Sequence, residues 1–197
     1  AAGNPITVNP TATTTYTVTG TGANGCTNTD QIQVTVNALP VVNGGPDITA
    51  CPNTQVTLTA TGANTYSWNP SIQNGVAFTP TTTMNYLVTG TSAQGCTATD
   101  FVLVTLLPAF TISTPPVSVC QNLTANLVAT GALTYSWSPA TNLSATTGGT
   151  VLFTPGTNTN YTVTGTNAAG CTATSSLIVT VKALPLVNAG FDATICA

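Results

Sequence analysis

The stretch MNYLVTGTSAQGCTATD, residues 84–100, is the strongest indication of the fold, because related stretches occur three times in the chain. The other copies are TYTVTGTGANGCTNTD at 15–30 and NYTVTGTNAAGCTATSS at 160–176. In each copy, an alternation of polar and apolar residues leads into a Gly-Cys turn and a second strand-like run. This pattern predicts a β-hairpin with one buried face on each strand. Its recurrence predicts a tandem array of one small domain.

Other motifs set the length of the repeat. The turn cysteines Cys26, Cys96 and Cys171 lie 70 and 75 residues apart, and TYSWNP around Trp68 recurs as TYSWSP around Trp137. The linkers ALP, LLP and ALP separate the units. The chain therefore divides into the C-terminal half of one repeat (1–39), two complete repeats (40–107 and 108–184) and the first strand of a following repeat (185–197). We expect these partial repeats to belong to a longer array, or to be completed by neighbouring molecules.

The predicted fold class is all-β, with each repeat forming an immunoglobulin-like Greek-key sandwich. Short strands separated by turn residues, about seven per repeat, fit this architecture. Trp68 and Trp137 fall where such sandwiches bury a Trp on the third strand, and a Tyr opens the later hairpin where a tyrosine corner is expected. The alternative is that these aromatic residues are simply part of the core. The predicted core aromatics are Trp68, Trp137, Tyr16, Tyr86 and Tyr161.

Composition excludes several classes of function. The charged residues are four Asp and Lys182, with no His, Glu or Arg, so a tunable general base is lacking and an enzyme is not expected. One Lys cannot provide the clustered cations that phosphate binding needs, so nucleic acid is not a partner. The most apolar stretch, 101–110, is too short to span a membrane. No cofactor or metal is expected, because the Asp residues are scattered singly.

These residues resemble a known type of repeat. The pattern of Cys, VTLTATGAxTYSW, TPTTTxxYxVTGTxxxGCTATD and LPxVNxGxD is similar to the immunoglobulin-like or PKD-like repeats of very large surface proteins of Bacteroidetes, such as adhesins and gliding-associated proteins. The resemblance covers essentially the whole chain and implies an extracellular or cell-surface location after secretion. Ser175 replaces the Asp found at Asp30 and Asp100, which puts a shared ligand site in doubt.

Six cysteines at fixed places in the repeats predict disulfides formed in an oxidising compartment. One alternative pairs them within a repeat, Cys51 with Cys96 and Cys120 with Cys171. In a sandwich, however, the cysteine before the second strand and the cysteine of the hairpin turn lie at opposite ends, beyond the reach of a disulfide. Our hypothesis is therefore a ladder between successive repeats, in which Cys51 bonds to Cys171. The remaining cysteines, Cys26, Cys96, Cys120 and Cys196, would pair with repeats outside this chain.

The predicted outer surface is rich in Thr and nearly uncharged, so lateral association with copies of itself or a coating of glycans is plausible. Apolar residues on the outer face of the last strand, Phe101, Leu103 and Ile178, are possible lateral contacts, or are covered by a neighbouring segment. We expect a structural array that forms an extracellular fibre or cell-surface filament. The alternatives are the rigid stalk of a bacterial adhesin with a distant binding tip, and a module that binds ice or carbohydrate.

Overall fold

A computed structural model describes residues 5–192 and 194 of the protein. The chain divides between Leu106 and Leu107 into two compact units. Every regular element in the described residues is a β-strand, and each unit contains a sandwich of the same topology. The predicted class, tandem immunoglobulin-like β-sandwich repeats, is confirmed. Among the described residues, no helix has the length and hydropathy needed to cross a bilayer.

The first unit begins with a lone hairpin and continues with a complete sandwich. The hairpin consists of β1 (Thr14–Thr21) and β2 (Thr27–Val34). The sandwich strands are β3 (Ile48–Ala50), β4 (Val56–Thr57), β5 (Thr65–Asn69), β6 (Ala77–Phe78), β7 (Met84–Thr91) and β8 (Thr97–Leu106). One sheet has the order β3-β8-β7-β5, and the second is formed by β4 and β6.

The second unit repeats this sandwich. Its strands are β9 (Val117–Cys120), β10 (Ala125–Val128), β11 (Thr134–Ser138), β12 (Thr150–Phe153), β13 (Thr159–Thr166) and β14 (Thr172–Lys182). The sheets are β9-β14-β13-β11 and β10-β12. Each complete repeat thus has six strands, whereas about seven were expected. The segment between the third and fourth strands of the repeat forms a loop in the first unit and isolated bridges in the second.

The first strand of each sandwich changes sheet partners along its length. Asn43 forms an antiparallel bridge with Thr61, whereas β3 pairs in parallel with β8, with Ile48 opposite Val104. The change of partner falls at Gly44 and Gly45, where Gly45 has a φ of 95°. Such a positive φ is readily adopted only by glycine. The sequence Gly44-Gly45-Pro46 is therefore the point at which the strand crosses between the two sheets.

Alternating residues of the two sheets form the core of each sandwich. Trp68 and Tyr86 are 6% and 5% exposed, and Trp137 and Tyr161 are 3% and 0% exposed. The Trp68 indole N–H donates to Asn74 Oδ1 at 3.2 Å, so this polar atom keeps a partner in the core. The Tyr161 hydroxyl donates to the carbonyl of Thr141, which fastens the strand to a loop of the same unit.

In the described residues, the β1–β2 hairpin and the C-terminal segment lack the packing partners that the two sandwiches have. Tyr16 of the hairpin is only half-buried, and Val18 and Ile32 are 65% and 67% exposed, because no second sheet covers them in the described residues. The predicted first strand at 185–197 is not formed in residues 185–192 and 194. In the complete repeats, this strand pairs with the last strand of its own repeat, and that partner is not found among the described residues.

Candidate functional site

The cysteines fall into two groups. Cys51 and Cys171 are disulfide-bonded, and Cys26, Cys96 and Cys120 are free thiols. Cys196 lies outside the described residues. The alternative pairing within repeats, Cys51 with Cys96 and Cys120 with Cys171, is wrong, because Cys96 and Cys120 are both free.

The geometry of the second unit gives the physical reason. Cys120 ends β9 and lies opposite Lys182, the last residue of β14. Cys171 directly precedes Thr172, the first residue of β14. A strand of this length separates the two cysteines of one repeat by roughly 30–35 Å at about 3.3 Å per residue. Bridged Cα atoms lie within about 7 Å, so each repeat holds its two cysteines at opposite ends.

Within the first unit, Cys96 lies against the end of the preceding hairpin. Cys96 occupies the turn between β7 and β8, which is closed by a hydrogen bond from the Ser92 backbone N–H to the Cys96 carbonyl at 2.8 Å. Its Sγ is 3.9 Å from the carbonyl oxygen of Asn37. Asn37 follows β2 by three residues. The turn cysteine of one repeat is therefore placed at the end of the last strand of the repeat before it.

The strand registers show what lies opposite this position in a complete repeat. Val34 pairs with Thr14 as Val179 pairs with Thr159, so the two valines are equivalent. Asn37 and Lys182 each follow these valines by three residues and are therefore equivalent too. Lys182 lies opposite Cys120, the first cysteine of its own repeat. The first cysteine of the second unit, Cys120, thus lies at the strand end equivalent to the one that Cys96 contacts at Asn37. The contact between Cys96 and Asn37 was not predicted, because it depends on how one repeat follows another.

Two aspartates hold the first strand of the sandwich against the last. Asp100 Oδ2 accepts the backbone N–H of Gly44, and Asp47 Oδ1 accepts the backbone N–H of Leu103, both at 2.8 Å. The hydrogen bonds from the N–H groups of Gly44 and Phe101 hold the pKa of Asp100 below its ordinary value, and partial desolvation opposes them. These carboxylates therefore have a structural role. No cluster of three metal-ligating side chains occurs in the part of the chain that the structure describes.

The second unit replaces this carboxylate bond with a pair of hydroxyls. Ser175 occupies the position of Asp100 in the sheet register, opposite Val163 as Asp100 is opposite Val88. Its Oγ lies 3.0 Å from Thr114 Oγ1. The departure noted in the sequence is therefore accompanied by a change on the facing strand, and the same two strands remain joined.

Sequence reasoning missed two tyrosines that close a turn. The Tyr66 hydroxyl accepts the Ala63 backbone N–H and donates to the Ala63 carbonyl, both at 2.8 Å. Tyr135 does the same with Ala132, at 2.7 and 2.9 Å. The recurring GAxTYSW motif places the alanine three residues before the tyrosine in both repeats. That spacing was the available signal for this local turn.

The residues predicted as lateral contacts differ in exposure. Phe101 and Ile178 are both 62% exposed, whereas Leu103 is half-buried. Phe101 lies opposite Leu87, also half-buried, on the outer face of β7 and β8. The first unit therefore has a small apolar patch on its outer face, made of Leu87, Phe101 and Leu103.

No protein-family model matches the chain, and a search of curated proteins found no match. Among solved structures, the chain is similar to a variant of a three-immunoglobulin-domain stretch of titin, with a TM-score of 0.40 and 14% identity over 86% of this chain and 75% of that one. It is also similar to the insect immune protein hemolin, with a TM-score of 0.38 and 17% identity over 85% and 56% of the two chains. It is similar as well to a structure of four protocadherin gamma B7 cadherin domains. The TM-score is 0.31 and the identity is 12%, over 82% of this chain and 56% of that one.

The chain spans 56% of that protocadherin structure and 47% of a five-domain Sidekick-1 structure. At these TM-scores and identities, the likeness establishes neither membership of a family nor a shared function.

Proposed function

We propose that the chain is a structural segment of an extracellular repeat array that forms a fibre or cell-surface filament. The array is of the immunoglobulin-like or PKD-like type found in large surface proteins of Bacteroidetes. Its proposed units are the half repeat 1–39, the complete repeats 40–107 and 108–184, and the start of a further repeat at 185–197. The partners of this segment are other repeats of the same kind, and it carries out no chemistry of its own.

The observation that carries the proposal is the state of the cysteines. Cys51 and Cys171 are disulfide-bonded while Cys26, Cys96 and Cys120 are free. This supports a bond from Cys51 in one complete repeat to Cys171 in the next. The separation of the two cysteines within a repeat supports it too, since neither can reach the other across the sandwich. A bond of this kind is a device for fixing the joint between successive repeats.

The position of Cys96 supports the same rule in the first unit. Its Sγ lies 3.9 Å from the Asn37 carbonyl, at the strand end where a complete repeat presents its first cysteine. In the proposed ladder, the equivalent partners at the next joint are Cys171 and Cys51, which follows β3. Disulfides persist in oxidising compartments, so the proposed location is extracellular or at the cell surface.

Two measurements test the proposal. A non-reduced peptide map should contain a single peptide pair that links Cys51 to Cys171, and its absence would contradict the proposed joint. Electron microscopy of native, unreduced material should then show uniform filaments. Separate particles of finite length, with the same bond present, would support instead the adhesin stalk and direct the search for a binding tip elsewhere.

A further inference from the structure

The outer face of the four-stranded sheet in the second unit carries a regular set of hydroxyl groups. In the sheet register, Ser136 lies opposite Thr164, and Thr164 lies opposite Thr174. The neighbouring row consists of Thr134, Thr166 and Thr172. Side chains that lie opposite each other on paired strands point to the same face of the sheet. These two rows therefore form a hydroxyl grid on the outer face.

Thr147 extends one row of the hydroxyl grid beyond the edge strand β11. It forms an antiparallel bridge with Ser136, so its side chain joins the row that contains Thr164 and Thr174. Thr147, Ser136 and Thr174 are exposed, and Thr164 is half-buried. The extended row thus presents four neighbouring hydroxyl groups to solvent.

The segment that carries Thr147 is fixed by hydrogen bonds to the sandwich. The Trp137 backbone N–H donates to the Thr146 carbonyl at 2.7 Å, and the Gly148 N–H donates to the Tyr135 carbonyl at 3.2 Å. The Trp137 indole N–H donates to the Gly148 carbonyl at 2.9 Å. Because the segment is already held in place, a ligand that binds beside it does not have to order it, which favours affinity.

The hydroxyl grid borders a groove of about 490 Å³, a size typical of small-ligand sites. The side chains along it include no charged group and five aliphatic hydroxyls, those of Thr134, Ser136, Thr147, Thr164 and Thr166. Within the described part of the chain, none of these five hydroxyls has a hydrogen-bond partner in the protein. Leu133 also lines the groove and is 69% exposed. The groove therefore offers unused donors and acceptors beside an apolar side chain.

The chemistry of the groove selects the class of ligand. A hydroxyl group can both donate and accept a hydrogen bond, so a row of hydroxyls matches a partner that does both. No charge along the groove compensates the desolvation of an ion, so the matching partner is neutral. The exposed leucine provides a contact for C–H groups. Neutral sugars combine these properties, since their rings carry many hydroxyls and have apolar C–H faces.

The first unit provides an internal comparison. Ser67 lies opposite Thr89, and Thr89 lies opposite Thr99, so the same row of hydroxyls is present. Among the described residues, however, no loop segment bridges to Ser67. The Trp68 indole N–H donates instead to the Asn74 side chain, at 3.2 Å. The first unit thus has the row without the fourth hydroxyl that Thr147 supplies in the second.

We propose that the groove of the second unit binds an uncharged oligosaccharide segment. The hydroxyls of Ser136, Thr147 and Thr164 exchange hydrogen bonds with the hydroxyls of the sugar, and Leu133 packs against a ring face. This site goes beyond the proposed array function, because it uses neither the cysteines nor the joint between repeats. It gives the array a partner other than its own repeats.

NMR titration of the 197-residue chain with cellohexaose, maltohexaose and chitohexaose tests the proposal. We expect at least one sugar to cause saturable shifts of the backbone amides along the groove, at 133–136, 147–149 and 164–166. Thr164→Val removes one hydroxyl and keeps the branched shape of the side chain. It should weaken binding about two- to tenfold, the effect of one lost hydrogen bond. Thr147→Val should weaken binding by a similar factor.

The matched control is Thr89→Val, at the position of the first unit that is equivalent to Thr164. It should leave binding unchanged, and circular dichroism checks that the three variants are folded. Equal weakening by Thr89→Val overturns the proposal, as does binding of none of the three sugars or a set of shifts confined to other residues. Ice shaping that is lost in Thr164→Val, without sugar binding, also overturns it and assigns the face to ice. The Cys51–Cys171 peptide map tests the array separately, so failure of sugar binding leaves the array proposal intact.

Discussion

The carboxylate of Asp100 accepts the backbone N–H of Gly44 at 2.8 Å, and this bond joins the last strand of the first sandwich to the start of its first strand. The two residues are 56 positions apart in the chain. In the second unit, the same two positions are occupied by Ser175 and Thr114, whose hydroxyl oxygens are 3.0 Å apart. Both complete repeats therefore join their first and last strands at this position. The first repeat uses a charged carboxylate, and the second uses two neutral hydroxyls.

We expect Asp100→Asn to destabilise the first unit and to flatten its response to acid. Because the folded-state pKa of Asp100 is below its usual value of 3.8, its contribution is fully present above that pH. The contribution is lost as the pH falls through the folded pKa. Thermal unfolding between pH 2 and 7 measures this, with Asp30→Asn as the control. An unchanged acid dependence in Asp100→Asn would contradict the assignment.

The equivalent glycines of the three hairpins should respond differently to one added methyl group. A Cβ on Gly90 would meet Val42 Cγ2 at 2.5 Å, and one on Gly165 would meet Ala132 Cβ at 2.6 Å. We expect Gly90→Ala and Gly165→Ala to cost roughly 1–3 kcal/mol of unfolding free energy by overpacking.

The third glycine provides the control for this prediction. The nearest atom to a Cβ on Gly20 is the Asn28 carbonyl oxygen at 3.9 Å, because no first strand lies beside the hairpin in the described residues. Gly20→Ala should therefore change stability by less than about 0.5 kcal/mol. Denaturant unfolding followed by far-ultraviolet circular dichroism measures all three variants. Equal effects at the three sites would show that the close approach of the first strand does not decide the outcome.

Removing the turn-closing hydroxyls should destabilise each repeat by a similar amount. Tyr66→Phe and Tyr135→Phe each delete two hydrogen bonds to one alanine and leave its N–H without that partner. We expect losses of about 1–2 kcal/mol in the unfolding free energy. Tyr16→Phe is the matched control, because the Tyr16 hydroxyl has no such partner among the described residues. A loss of the same size in that variant would argue against the turn-closing role.

The apolar patch on the first unit should contribute to lateral association but little to stability. Phe101 is 62% exposed, so Phe101→Gln should leave the unfolding midpoint nearly unchanged and weaken self-association of filaments. Light scattering against concentration measures the association. Ser176→Gln, at the equivalent position of the second unit, adds the same side chain without removing an apolar one, and it should have no effect. Unchanged association in Phe101→Gln would exclude the patch as a contact.

The repeat architecture could be predicted because it depends on local signals, namely repeated motifs and the alternation of apolar and polar residues within strands. Trp68 and Trp137 lie in identical motifs, and alternating residues around Tyr86 and Tyr161 mark the buried face. Both pairs are in the cores. Consecutive glycines before a proline disrupt a strand, and the break at Gly44 and Gly45 follows this local rule.

The joining contacts could not be predicted because they link residues that are distant in sequence. The bond between Asp100 and Gly44 depends on the parallel pairing of β3 with β8, and no single motif encodes that pairing. The approach of Cys96 to Asn37 depends on how a repeat follows its predecessor. The sequence indicates the contact of Asp100 with Gly44 only when the repeats are compared, because Ser175 and Thr114 replace both residues together in the second unit.

The parallel pairing of β3 with β8 also has a mechanical consequence. The two strands are the first and last of their sandwich, and tension on the chain enters through one and leaves through the other. Because they run in the same direction side by side, such tension slides them past each other. The backbone bonds between them, and those of Asp47 and Asp100, are then loaded together instead of one after another. A repeat built in this way resists stretching as a unit and yields abruptly.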